Sequence, residues 1–109
     1  MSNIERARKA LSRRILEGEG KASLFDRRAA FDNSGLADPL RQLVDKVTLN
    51  AGGIEDDDIV RALQSGLSED QIFEIVVCAA VGQATRQYDT AKAALETARR
   101  IEDAAPDPQ

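Results

Sequence analysis

The side chains that most enzymes use for nucleophilic attack and proton transfer are scarce in this sequence. It contains no histidine and a single cysteine, Cys78. The Ser-His-Asp and Cys-His mechanisms both need an imidazole, so neither is available. A zinc site needs several cysteine or histidine ligands, and one cysteine does not provide them. These two absences exclude the commonest hydrolytic chemistries and a zinc centre.

The glycines and the acidic residues also lack the spacing of ligand-binding loops. Gly18, Gly20 and the pair Gly52-Gly53 match neither the dinucleotide-binding loop nor the P-loop. The acidic run 55–58 lacks the alternating ligands and the glycine of a calcium loop. We interpret it as a helix start, where acidic side chains interact favourably with the positive end of the helix dipole. The sequence therefore predicts no metal and no cofactor.

Cys78 stands in an apolar segment, between Ile75 and Val81. A reactive thiol needs a helix N-terminus, a cation or a second cysteine nearby, and the local sequence supplies none of these. We therefore interpret Cys78 as a buried, inert thiol. A single cysteine also excludes an intramolecular disulfide.

Composition and periodicity predict an all-α protein of about five helices. Hydrophobic residues make up 42% of the chain and aromatic residues only 4%. Apolar residues recur at helical spacing, and turn or cap residues separate the helical segments. The predicted boundaries are Gly18 and Gly20 after helix one, Ser23 as the cap of helix two with Phe25, Ala29 and Ala30 facing inward, Asp38 as the cap of helix three with Pro39 in its first position and Ala51 near its end, the acidic run 55–58 before helix four, and Gly66 after it.

The last helix is predicted to be the longest. A capping box at residues 68–71 opens it, and it continues to about Arg100. Gly82 within it indicates either a close helix contact or a break in the helix, and we favour the contact. One domain is expected over residues 1–103, with residues 104–109 as a disordered tail. Apolar residues of this helix form one predicted stripe: Ile72, Val76, Ala80, Ala84, Tyr88, Ala91, Leu95 and Ala98.

Charge is distributed unevenly along the chain. The net charge is −4, yet residues 1–30 carry eight basic and four acidic side chains. We interpret the basic residues as the solvated face of the first helix, because no aromatic residues alternate with them and the acidic remainder repels phosphate. No nucleic acid partner is expected. With no signal peptide and no apolar segment long enough to span a bilayer, we expect a cytoplasmic protein with no membrane association.

Ala62, Gly66 and the capping box before an alanine-rich helix form one pattern within the stretch from Leu40 to Leu95, about half of the chain. In these residues the stretch resembles the alkylhydroperoxidase-D-like, or carboxymuconolactone decarboxylase, family. The resemblance implies an AhpD-like helical fold and an oligomeric habit.

The family's reactive motif, Cys-x-x-Cys-x-x-x-His, is missing. By position, the two cysteines fall on Ala51 and Ile54, and the histidine falls on Asp58. A thiol peroxidase reduces peroxide with one cysteine and resolves the product with a second. Thiol peroxidase activity is therefore expected to be absent.

Two classes of function stay open. The first is a non-catalytic helical oligomer that binds a partner or a small ligand. The second is an enzyme with relocated acid/base chemistry, related to the family's decarboxylases or peroxidases. Its candidate residues are Asp45, Lys46, Asn50 and Asp58, with Lys46 and Asp58 as a candidate pair; the ordinary alternative is that all four are solvated or helix-terminal residues. A buried pair in a pocket would favour the enzyme.

Self-association is expected for a simple reason. The core of so short a chain is small, and the last helix carries apolar residues on more than one face, Ile75 and Val77 among them. We therefore expect a homo-oligomer, either a dimer or a trimer-based form.

Overall fold

The computed structural model describes residues 2–104, and this part of the chain contains helices and connecting turns but no strand. The prediction of an all-α fold with five helices and a long last helix is confirmed. The expected tail lies mostly in residues 105–109, outside the described residues, and Ala104 is still helical. The elements in chain order are α1 (Asn3–Glu17), α2 (Leu24–Asp32), α3 (Leu40–Leu49), a 3-10 turn (Ala51–Gly53), α4 (Asp56–Gln64) and α5 (Glu69–Ala104).

Local hydrogen bonds explain where two of the helices begin. The Ser23 hydroxyl accepts a hydrogen bond from the N–H of Asp26 (3.0 Å), which caps α2. At the start of α5, Gln71 N–H donates to the Ser68 hydroxyl (3.1 Å) and Ser68 N–H donates to the Gln71 side chain (2.8 Å). Both the Ser23 cap and the capping box are as predicted.

Helix α3 differs from the prediction at both ends. Pro39 is the residue before the helix rather than its first residue, and the Asp38–Pro39 peptide is cis. The Asp38 carboxylate binds the Arg41 guanidinium at 3.1 and 3.2 Å, and the residue before the helix provides no side-chain cap. The helix ends at Leu49 because the next residue leaves the helical region of backbone conformation, and Ala51 is exposed in the 3-10 turn.

The core lies around the first half of α5. Ile75, Cys78 and Ala79 pack there with Val44 of α3 and Ala30 of α2. A neighbouring cluster joins α3, α4 and α5 through three buried residues, Leu43, Ala62 and Ile72. Phe25 of α2, predicted to face inward, is 68% exposed instead.

The buried face of α5 is not the predicted stripe. Of that stripe only Ile72 is buried, and from Ala80 onward its members are exposed. Ile75, which we expected to provide apolar surface for self-association, is instead completely buried in the chain's own core. Helix α2 packs on the side of α5 that carries Gly82, as the predicted close contact requires. The residues of α5 that are buried are Ile72, Ile75, Cys78, Ala79 and Gly82.

The molecule is elongated because α5 continues past the core. Its extents are 68 × 29 × 20 Å, and its radius of gyration is 18.1 Å, whereas a compact chain of this length has about 13 Å. No residue of α5 after Gly82 is buried. Helix α1 runs antiparallel to this part of α5: Glu5 pairs with Lys92, and Arg8 lies 3.3 Å from Asp89.

Candidate functional site

The structure brings together the predicted pair of Lys46 from α3 and Asp58 from α4. The Lys46 ammonium lies 2.8 Å from Oδ2 and 3.0 Å from Oδ1 of Asp58. The Asp58 side chain is 1% exposed and the Lys46 side chain 36%. The carboxylate is therefore buried, and its cationic partner covers it from the solvent side.

Two further donors complete the surroundings of Asp58. The backbone N–H of Glu55 donates to Oδ2 at 2.8 Å, because Asp58 occupies the third position of α4 and reaches back to the residue before the helix. The Arg61 guanidinium, one turn later on α4, donates to Oδ1 at 2.7 Å. Each carboxylate oxygen thus accepts two hydrogen bonds, and Asp58 anchors both the start of α4 and the contact with α3.

This environment favours a permanently ionised carboxylate. The hydrogen bond from Lys46, followed by that from Glu55, holds the pKa of the Asp58 carboxyl below its usual range. A carboxylate with a lowered pKa is a weak base and carries no proton to donate at neutral pH. The cluster therefore has the chemistry of a structural ion pair.

The other two candidate residues lie elsewhere. Asp45 lines a separate cavity of about 270 Å³ beside Arg41 and the 33–36 turn. Asn50 is exposed at the end of α3, and its side-chain amide packs against Gly53 in the 3-10 turn. The four predicted residues do not form one site.

Neither Lys46 nor Asp58 lines any of five well-formed cavities of residues 2–104. One open depression is lined by Arg61, the partner of Asp58, together with Gln42 and Gln64. Arg61 was not among the predicted site residues, although its position three residues after Asp58 on one helix would have indicated the contact.

A half-open cavity of about 290 Å³ lies between the end of α1 and the start of α5. Ile15, Phe73 and Val77 form its apolar wall, and Arg27 and Glu74 are among the charged residues that line it. No spacing in the sequence indicated this site, because its residues come from α1, α2 and α5.

Arg27 is a buried cation within this cavity wall, only 6% exposed. Its Nε donates to the carbonyl of Ala22 at 3.1 Å, and its Nη1 donates to the carbonyl of Gly18 at 2.7 Å. The carbonyl of Ile15 is 3.5 Å from the same Nη1. Among residues 2–104, no side chain or carbonyl accepts from Nη2, and no carboxylate forms an ion pair with Arg27.

Cys78 also borders the cavity, but its thiol is protected. The residue is 1% exposed, and its Sγ lies 3.5 Å from the carbonyl of Ile15. Burial raises the pKa of the Cys78 thiol, outweighing the opposite effect of Arg27. The interpretation of Cys78 as a buried thiol is confirmed.

Within residues 2–104, no group of three or more acidic, cysteine or histidine side chains is arranged to hold a metal ion. Over the same residues, no helix combines the length and the apolar character needed to cross a bilayer. No family model, no curated protein and no solved structure matches this chain.

Proposed function

We propose that this protein is a non-catalytic helical module, a divergent relative of the alkylhydroperoxidase-D-like fold, that acts as a homo-oligomer and binds partners through α5. The observation that carries the proposal is the second half of α5. It extends past the core without a buried residue, and its apolar side chains Tyr88, Leu95 and Ile101 are 36%, 52% and 68% exposed.

Exposed apolar side chains along a helix segment of this length are unfavourable in water. Large exposed apolar patches on soluble proteins mark interaction surfaces. The charge contacts with α1 leave Leu95 and Ile101 uncovered. Self-association buries such residues without requiring a larger core in each copy.

The alternative, an enzyme with relocated acid/base chemistry, has less support. Its central residue, Asp58, already accepts four hydrogen bonds and is held ionised. A substrate at Asp58 would have to displace Lys46 or Arg61 first. The pair therefore supports the scaffold rather than a reaction.

Sedimentation velocity of the full chain at micromolar concentration tests the proposal. We expect a mass that is a multiple of 11.8 kDa, and we expect Leu95→Glu to shift the protein towards the monomer. Thr97→Glu is the matched control, because Thr97 is exposed on another face of the same helix. A monomer at every concentration contradicts the proposal.

A second candidate function, binding of a small amphiphilic carboxylate, rests on Arg27. A buried guanidinium with a free Nη2 beside an apolar wall offers a carboxylate a charge-assisted hydrogen bond and its hydrocarbon part a dry surface. Octanoate should raise the melting temperature, whereas octanol, which lacks the charge, should not. Equal shifts with both molecules, or none with either, would count against an anion site at Arg27.

A further inference from the structure

We propose that two copies of this chain dock through their α5 helices, antiparallel, about a two-fold axis that passes beside Ala84. This inference rests on the self-association proposed above and specifies its geometry. The docking surface, here called the outer stripe, consists of eight residues of α5: Phe73, Val77, Ala80, Ala84, Tyr88, Ala91, Leu95 and Ala98.

The outer stripe lies on the side of α5 that faces away from the core. With a rotation of about 100° per residue, its mean direction is roughly opposite to that of the buried residues Ile75, Ala79 and Gly82. Phe73 is 69% exposed at one end of the stripe, and Leu95 is 52% exposed near the other. The stripe is about 38 Å long at the helical rise.

The spacing of the stripe is symmetric about Ala84. From Ala84, the steps to the next apolar residues are four, three and four in both directions along the chain. In an antiparallel pair centred there, each residue meets the one at the same distance on the other side. The resulting pairs are Phe73 with Leu95, Val77 with Ala91, Ala80 with Tyr88, and Ala84 with its own copy.

Two of these pairs are complementary in size. Tyr88 of one copy meets Ala80 of the other, and Val77 meets Ala91, so in both a large side chain lies opposite a small one. Interdigitation of this kind is what close packing between two helices requires. Phe73 and Leu95, both large, pair at the two ends of the interface. Ala84 at the centre lets the two backbones approach where they cross.

The charges at the two ends of the stripe also favour the antiparallel direction. Exposed Glu69 and Asp70 precede it, and exposed Arg99 and Arg100 follow it. In the register centred on Ala84, Glu69 of one copy lies at the same level along the helix axis as Arg99 of the other. A parallel pair in register would bring the two Glu69 residues to one level and the two Arg99 residues to another, which like-charge repulsion disfavours.

Single cysteines test the register. Ala80→Cys, Ala84→Cys and Ala91→Cys replace exposed alanines, and the unmodified chain with its buried Cys78 is the blank. After mild oxidation we expect a covalent dimer only for Ala84→Cys. The introduced thiols of the Ala80→Cys pair would be about 12 Å apart along the axis, and those of the Ala91→Cys pair about 21 Å apart. Both separations exceed the reach of about 7 Å between Cα atoms that a disulfide allows.

The other outcomes separate this proposal from the previous one. Cross-linking of all three variants would show a parallel pair and overturn the antiparallel register. A dimer by sedimentation without a cross-link at position 84 would overturn the register while leaving self-association intact. A monomer throughout would overturn both proposals.

A charge at the centre provides an independent check. Ala84→Glu places two carboxylates against each other at the two-fold axis, so we expect dimer dissociation at least about tenfold stronger than in the unmodified chain. Ala93→Glu, also an exposed alanine of α5 but off the outer stripe, should leave the dimer unchanged. Equal dimer affinities for the two variants would contradict the outer stripe as the interface.

Discussion

The carbonyl oxygen of Phe31 in α2 stands where a side chain at Gly82 in α5 would begin. One turn later, Arg86 donates from Nη1 to the same carbonyl at 2.5 Å. The end of α2 can approach α5 closely because Gly82 has no Cβ, and the hydrogen bond from Arg86 stabilises this contact. This contact sets the distance between the two helices that share the largest part of the core.

Gly82→Ala should lower the free energy of unfolding by about 1–3 kcal/mol, because the new methyl group forces the main chain of α2 away from α5. Gly52→Ala is the control: the nearest atom to its Cβ would be the Asn50 side-chain oxygen at 4.0 Å. Urea unfolding followed by circular dichroism measures both. Equal midpoints would show that the α2–α5 contact tolerates a side chain.

Asp58→Asn should lower the melting temperature at neutral pH. The neutral amide cannot pair with Lys46, and one of its own N–H groups would face a cation. Asp57→Asn removes one charge from the same turn at an exposed position and should have a much smaller effect. Matching melting temperatures for the two variants would argue against a structural role for the buried ion pair.

The hydrogen bonds of Glu74 should make the stability of the protein depend on pH. Its carboxylate accepts hydrogen bonds from the N–H groups of Lys21 and Ala22 at 2.6–2.8 Å, and chiefly the bond from Ala22 lowers the pKa of Glu74 below its ordinary value. A lowered pKa in the folded state contributes stability above the unfolded pKa, and this contribution disappears as pH falls through the folded pKa.

The unmodified chain should therefore lose more stability on acidification below about pH 4.5 than Glu74→Gln, whose amide does not titrate. Glu17→Gln, an exposed substitution on α1, should follow the unmodified chain. Melting temperatures across the acidic range give the comparison. If the melting temperatures of all three proteins fall equally with pH, Glu74 does not contribute to the loss of stability in acid.

Cys78 should react with a disulfide reagent only after unfolding. Its burial and raised thiol pKa keep both access and the thiolate fraction low. Labelling should be slow in buffer and fast in denaturant, and the protein should not consume an organic hydroperoxide in the presence of a thiol-regenerating system. Peroxide turnover that disappears in Cys78→Ala would contradict this prediction.

Local rules predicted much of the fold. The Ser23 cap, the Ser68–Gln71 capping box and the close contact at Gly82 all follow from single residues or pairs a few positions apart. The choice of buried face on α5 did not, because the helix is apolar on two opposite sides. Tertiary packing against α2 decides which side is buried, and periodicity alone carries no information about it.

In the candidate site, too, some features could be predicted from nearby residues and others depend on tertiary packing. The Lys46–Asp58 pair could be anticipated because both residues lie near the helix ends that the 3-10 turn connects, and the structure forms it. The further role of Asp58 in capping the start of α4 depends on its hydrogen bond with the backbone N–H of Glu55. The cavity at Arg27 could not be anticipated, since the partners that hold this arginine are backbone carbonyl groups, which leave no pattern of residue types in the sequence.

Helix α1 has consequences for the order in which the protein opens. None of its residues is buried, and charge pairs to Asp89 and Lys92 hold its N-terminal half against α5. Added salt screens these exposed charge pairs, but it does not screen the apolar contacts by which α2 and α3 pack on α5. Amide hydrogens of α1 should therefore exchange with solvent when α1 detaches locally from α5, and added salt should accelerate this exchange. Amide hydrogens around Leu43 and Ile75 should exchange only on global unfolding.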